Sequence, residues 1–165
     1  MEELETKKYA GIDLGRTSVQ FSIYREGQEE MTEESFLLSE EEQKEYIESG
    51  MRQVERYMET GGLRWPDFQA VHFSMEDASE ENRSKLKSAV SEELRKLHGV
   101  KVITHFRAFA EYVFHQERIM WDRNTLLLDY HDNQLSYVLI DQIRRSKQKA
   151  CLLYTSPSPR DYAAS

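Results

Sequence analysis

Only Gly15-Arg16-Thr17 separates two segments that both read as β-strands, and that spacing governs what this chain can fold into. Residues 8–14 (Lys-Tyr-Ala-Gly-Ile-Asp-Leu) read as a strand that ends at Gly15. In 18–24, Val19, Phe21 and Ile23 alternate with Gln20, Ser22 and Tyr24, the period-two pattern of a strand with one buried face. Two strands joined so briefly must run antiparallel, because a parallel pair needs a crossover of a dozen or more residues. The chain therefore opens on a hairpin.

Downstream the pattern changes to strand–helix alternation. Gly27 marks a turn, and 35–38 read as a short third strand. Ser39-Glu40-Glu41-Glu42 is a capping-box start, followed by Ile47, Met51, Val54 and Met58 at helical spacing, with Gly61-Gly62 as the stop. Residues 68–74 predict a buried strand, with His72 as a hydrogen-bonded core residue. A helix is expected over roughly 80–97, carrying Leu86, Val90, Leu94 and Leu97 on one face and closed by Gly99. Strand 100–103, helix 106–120, strand 124–130, a turn at His131-Asp132-Asn133 and strand 134–141 complete the order. The run of Leu135, Tyr137, Val138, Leu139 and Ile140 predicts burial on both faces of the last strand. Trp65 and Trp121 flank elements and are expected to be exposed. Hairpins at both ends with βα units between them indicate a mixed sheet covered by helices.

The formal net charge is −8. An acidic surface disfavours nucleic acid and anionic membranes as partners. No apolar run approaches the ~20 residues that span a bilayer, and the acidic start Met1-Glu2-Glu3-Leu4-Glu5 is unlike a secretory signal. The single cysteine is Cys151, so disulfides and thiolate metal sites are excluded before it. A cytoplasmic protein is expected. Residues 151–165 break from the preceding pattern and hold two of the three prolines. Cys151-Leu-Leu-Tyr-Thr-Ser-Pro-Ser-Pro-Arg-Asp161 resembles a translated transposase sequencing adapter; a Ser/Pro-rich tail is the alternative. The expected organisation is a disordered 1–7, a lobe over 8–123, a second hairpin with its continuation over 124–150, and a non-native tail over 151–165. On that reading the natural frame continues beyond residue 150.

Tyr9-Ala10-Gly11-Ile12-Asp13-Leu14-Gly15-Arg16-Thr17-Ser18 resembles the first phosphate-binding hairpin of the actin, heat-shock chaperone and sugar-kinase superfamily, whose usual form is G-I-D-L-G-T-T-x-S. The strand–helix–strand–helix run over 71–114 is similar to the chaperones' run. It leads to Leu126-Leu127-Leu128-Asp129-Tyr130-His131-Asp132-Asn133-Gln134, against the family's L-L-x-D-x-G-G-G-T-T-D. The resemblance implies an α/β lobe with a mixed five-stranded, ribonuclease-H-like sheet and flanking helices, cut at the start of the second lobe. It implies ATP and magnesium in the complete protein, with Gly15, Arg16, Thr17, Ser18 and His131 near the phosphates. Asp13 and Asp129 would hold the magnesium through water, and the missing lobe would supply the adenosine site.

The departures are as informative. Tyr130, His131, Asp132 and Asn133 stand where family glycines let backbone amides approach phosphate, and a Cβ blocks that approach. His105-Phe106-Arg107 occupies the place of the chaperones' acid before the third helix. Arg16 replaces a Thr or Ser and is read as an exposed loop residue without a task. His131 is read as a loop residue within reach of a ligand. These changes point to a non-catalytic or nucleotide-sensing module that binds a protein partner or assembles with itself, and away from an enzyme. Two alternatives remain open: an active Mg-ATP-dependent ATPase or kinase using Asp13, Gly15, Thr17 and Asp129, and a ribonuclease-H-like metal-dependent nuclease. The second needs a third carboxylate, for which Glu111 is the candidate. The stretch His115-Gln116-Glu117-Arg118-Ile119-Met120-Trp121 resembles bacterial proteins that carry such a lobe ahead of a longer C-terminal part.

Overall fold

A computed structural model describes residues 6–115, 125–131, 134–140 and 154–155. The chain divides into two compact units, Met1–His105 and Phe106–Ser165.

The first unit is built on the opening hairpin. β1 (Lys8–Leu14) pairs antiparallel with β2 (Ser18–Arg25), with Leu14 opposite Val19 at the closed end. β3 (Thr32–Leu37) adds antiparallel to β2. The chain then enters a 3-10 turn at Glu42–Glu45 and α1 (Tyr46–Thr60). The capping box forms as the sequence indicates: Ser39 N–H donates to Glu42 Oε2 at 2.9 Å and Glu42 N–H to Ser39 Oγ at 3.3 Å. Those bonds hold the Glu42 carboxyl below its usual range, the Ser39 backbone amide contributing most. Gly62 ends the helix with φ +65°, while the Leu63 N–H bonds back to the Met58 carbonyl.

β4 (Phe68–Met75) returns parallel to β1 and lies beside it; β5 (Val100–Thr104) lies parallel beyond β4. The sheet order is β3-β2-β1-β4-β5, a mixed five-stranded sheet. Between β4 and β5 the chain makes α2 (Glu80–Ala89) and α3 (Glu92–Arg95) where one helix was expected. The break has a local cause. Ser91 accepts a bond from the Leu94 N–H and starts a new helix, leaving Val90 extended at ψ 148°. Leu86, Val90 and Leu94 are buried even so.

Strand alternation sorts the sheet into two faces. Ile12, Leu14, Val19, Phe21, Val71 and Phe73 share a buried core with Met51 and Val54 of α1 and with Leu86 and Leu94. Gly50 lets α1 approach closely, since a Cβ there would lie 2.9 Å from Leu14 Cδ2. Trp65 belongs to this core at 4% exposure, packed against Phe68 at 6.2 Å between ring centroids, and is not exposed as its flanking position suggested. The other face takes Asp13 and Ser74, neighbours in register. His72 lies on that face and is exposed, so it is not a core residue: its strand neighbours Val71 and Phe73 turn to the helices.

β5 runs directly into α4 (His105–Phe114). The second unit pairs β6 (Thr125–His131) with β7 (Gln134–Ile140) antiparallel, and β7 with β8 (Tyr154–Thr155). Leu127 and Val138 pack with Ala110 of α4, bordered by Phe106, Phe109, Val113 and Phe114. The opposite face of the hairpin carries Leu126, Leu128, Tyr130, Leu135 and Leu139, all exposed. β7 is thus buried on one face and not on both. Trp121, Asp132, Asn133 and the basic run 144–149 lie outside the described residues.

Candidate functional site

Parallel neighbours finish at the same end of a sheet, so the ends of β1, β4 and β5 converge. Asp13 comes from β1, Ser74 from the register position beside it on β4, and His105 from the residue that follows β5 and opens α4. Ser74 Oγ–H donates to Asp13 Oδ1 at 2.6 Å. His105 Nδ1 lies 3.0 Å from the same oxygen. A carboxylate only accepts, so this geometry calls for the proton on Nδ1. Both groups are largely withdrawn from solvent, at 16% side-chain exposure for Asp13 and 22% for His105. In a Ser-His-Asp hydrolase the imidazole sits between serine and carboxylate and serves as base. Here the carboxylate sits between serine and imidazole, so the arrangement does not activate Ser74 as a nucleophile.

The connection after β1 is tight. Gly15 N–H donates to the Ser18 carbonyl at 3.0 Å, the Thr17 carbonyl accepts from the Leu38 N–H at 2.9 Å, and Gly15 is buried. Thr17 is exposed and Ser18 half-buried. Arg16 has a task after all: its Nε lies 3.0 Å from Glu76 Oε2, tying the hairpin tip to the loop after β4. Tyr46 of α1 is close enough to feel this pair. Burial pushes its hydroxyl pKa up, Arg16 lowers it and Glu76 raises it.

In the second unit, Asp129 and Ser136 are opposed on β6 and β7. The ladder does not stop there. It continues through Tyr130↔Leu135 and His131↔Gln134, so His131 is a strand residue and not a loop residue. Regular antiparallel pairing as far as His131 explains this, because the hairpin narrows to the two residues between His131 and Gln134. Glu111, the candidate third carboxylate, is on the exposed side of α4 and pairs with Arg107 Nε at 3.0 Å.

The sequence profile of a family described as a family of unknown function (DUF5716), C-terminal, matches residues 22–159. The chain belongs to that family. The matched span includes residues 151–159, whose sequence resembles adapter. A search of curated proteins finds no match. Among solved structures, the DUF5716 chain is similar to YeaZ from Pseudomonas aeruginosa at 9% identity and TM-score 0.53, covering 93% of this chain and 68% of that one. It is similar to an exopolyphosphatase from Cytophaga hutchinsonii at 12% identity and TM-score 0.51, covering 91% and 49%. It is also similar to a ROK family transcriptional regulator, a homologue of the E. coli MLC protein, at 15% identity and TM-score 0.51, covering 90% and 40%. The DUF5716 chain thus spans about half or less of the last two proteins. These likenesses establish the fold: an actin-like, ribonuclease-H-like lobe with a five-stranded mixed sheet. No described helix is long and apolar enough to cross a membrane.

Sequence reasoning named Asp13 and noticed His105 in place of an acid, but it missed Ser74 and Glu76. The signal for Ser74 was available in principle. Once β4 is laid parallel to β1 with Phe73 beside Ile12, Ser74 must fall beside Asp13.

Proposed function

We propose that this DUF5716 chain is a non-catalytic member of the actin-like fold, a binding or assembly module that retains at most weak nucleotide sensing. One observation carries the reading: Asp13 Oδ1 already accepts from Ser74 and faces His105. Hydrated magnesium bound by an aspartate uses that carboxylate's lone pairs for its water ligands, and an imidazole donor at the same oxygen competes with it. The first hairpin spends the Gly15 amide on its own turn, and Arg16 on Glu76. In the second hairpin, side-chain-bearing Tyr130 and His131 stand in a regular ladder where a phosphate cradle would need open amides. These residues do not fit a magnesium nucleotide well, and no transfer step is derived through one. Glu111, the third carboxylate the nuclease alternative needs, is exposed and engaged with Arg107.

The same proposal places the protein in the cytoplasm, in keeping with its acidic composition, and makes its partner a protein surface: a further lobe of the same chain or a second copy. The test is calorimetric titration of the complete protein with Mg-ATP. The expected result is no saturation below ~1 mM, the upper end of ordinary enzyme KM values. Replacing Tyr130, His131 and Asn133 by glycine should tighten binding. A natural protein that saturates in the micromolar range and hydrolyses ATP would overturn the proposal, and a glycine variant with unchanged affinity would remove the cradle argument.

A further inference from the structure

The five-stranded sheet ends in two unlike edges. At one, β3 and the residues before it expose Met31 at 52% and Leu37 at 83%, the largest exposure of any large hydrophobic among the described residues. Glu29, Glu30, Glu33 and Glu34 surround them, all exposed. At the other edge, α2, α3 and β5 leave a groove of about 280 Å³. Its floor is apolar (Phe73, Leu86, Leu94 and Val102), and its rim carries Arg83, Lys87 and Arg95.

The charges at both places are unspent. Arg83 Nε donates to the Ala78 carbonyl at 2.7 Å and Arg95 to the Ser88 carbonyl at 3.3 Å, contacts that leave the positive charge uncompensated. None of the three rim cations, and none of the four carboxylates in and just before β3, has an ion-pair partner among the described residues. Nearby Lys85, on the same helix as Arg83 and Lys87, does pair, with Glu81 at 2.8 Å. Arg83 and Lys87 are one helical turn apart and so form a row along α2. In a chain of net charge −8, three unpaired cations around one apolar groove are a local inversion of sign.

We propose that the occupant of this groove is the β3 edge of a second copy of the chain, with Leu37 and Met31 against the apolar floor and Glu29–Glu34 against the cationic rim. The two surfaces lie at opposite edges of the sheet. The contact is therefore head to tail, and it leaves a free groove and a free edge after each addition. It rests on the assembly reading above and names the partner.

The test is sedimentation velocity of the full chain in nucleotide-free buffer, from about 1 to 100 µM, the range in which modest contacts populate, and at about 50 and 500 mM salt, which screens exposed charge. Association beyond dimers that weakens at high salt is expected. Arg83→Glu with Lys87→Glu, and separately Glu33→Lys with Glu34→Lys, should each weaken it by about tenfold or more, since like charges then face each other. These are exposed positions, and an unchanged melting temperature verifies that the variants fold. Mixing the two variants should restore pairing, because each keeps the surface the other has lost. A monomer at every concentration overturns the proposal. So does association that ignores both variants, which would put the contact on the exposed β6–β7 face. Nucleotide titration is a separate readout, so failure here leaves the non-catalytic reading standing, and the reverse also holds.

Discussion

The two hairpins begin from similar sequence and end in different circumstances. β1–β2 and β6–β7 each pair an apolar strand ending in an aspartate region with a second apolar strand, joined by a short connection. In the first, Leu14, Val19 and Phe21 are at most 1% exposed beneath α1, and Tyr57 of α1 meets Phe21 edge-on at 5.8 Å. In the second, only Leu127 and Val138 are buried among the described residues, and the other face exposes Leu126, Leu128, Tyr130, Leu135 and Leu139. Strand pattern specifies a ladder, while the covering element decides whether the ladder has a core. The aspartates part company in the same way. Asp13 is held by groups delivered from β4 and the β5–α4 junction, whereas Asp129 faces Ser136 in its own hairpin.

The largest expected effect tests this contrast directly. Phe21→Ala should cost about 3–5 kcal/mol in urea unfolding, and Leu127→Ala should fall at or below the low end of the ~2–5 kcal/mol range for such deletions. Equal losses would break the comparison, because they would mean the second hairpin is as well packed as the first.

Next in size are two glycines that let elements close on the first sheet. A Cβ at Gly99 would lie 2.7 Å from the Gln69 carbonyl oxygen and 3.0 Å from Ala70 Cα, backbone that cannot yield. Gly99→Ala is expected to cost about 1–3 kcal/mol. At Gly50 the obstacle is the tip of the Leu14 side chain, and alanine gains about 1 kcal/mol in helix propensity. Gly50→Ala should therefore be close to neutral in thermal unfolding. A loss as large as that at Gly99 would show that α1 has no slack over the hairpin.

The smallest effect is on pH. Burial pushes the Glu55 carboxyl of α1 above the usual carboxylate range. The folded state then binds its proton more tightly than the unfolded chain does. Its contribution is full below the unfolded value and is lost as pH rises through the raised one. Glu55→Gln should flatten that part of the stability profile and leave the protein no less stable at neutral pH. An unchanged slope would assign it to other groups.

Much of the fold was legible because it is written locally. The three-residue connection, the Val19-Phe21-Ile23 alternation, the Ser39 cap and the Gly61-Gly62 stop each act within a few residues, and each appears where the pattern places it. The misreadings were of a different kind. One helix became two because the Ser91 cap outweighed a continuous apolar stripe. His72 went outside because strand phase, not residue type, chose its face, while Trp65, in the 3-10 turn ahead of β4, went inside against Phe68. Arg16 found Glu76 sixty residues along the chain.

By itself the sequence determined the elements, their caps and the opening hairpin, since periodicity and hydrogen-bond competition operate over a turn or a pair of strands. Only the tertiary structure decided what Asp13 meets. Ser74 and His105 lie 61 and 92 residues away, and they reach one carboxylate oxygen because β4 and β5 are inserted parallel beside β1 in a single register. Strand order and register are properties of the whole sheet, and no local pattern carries them.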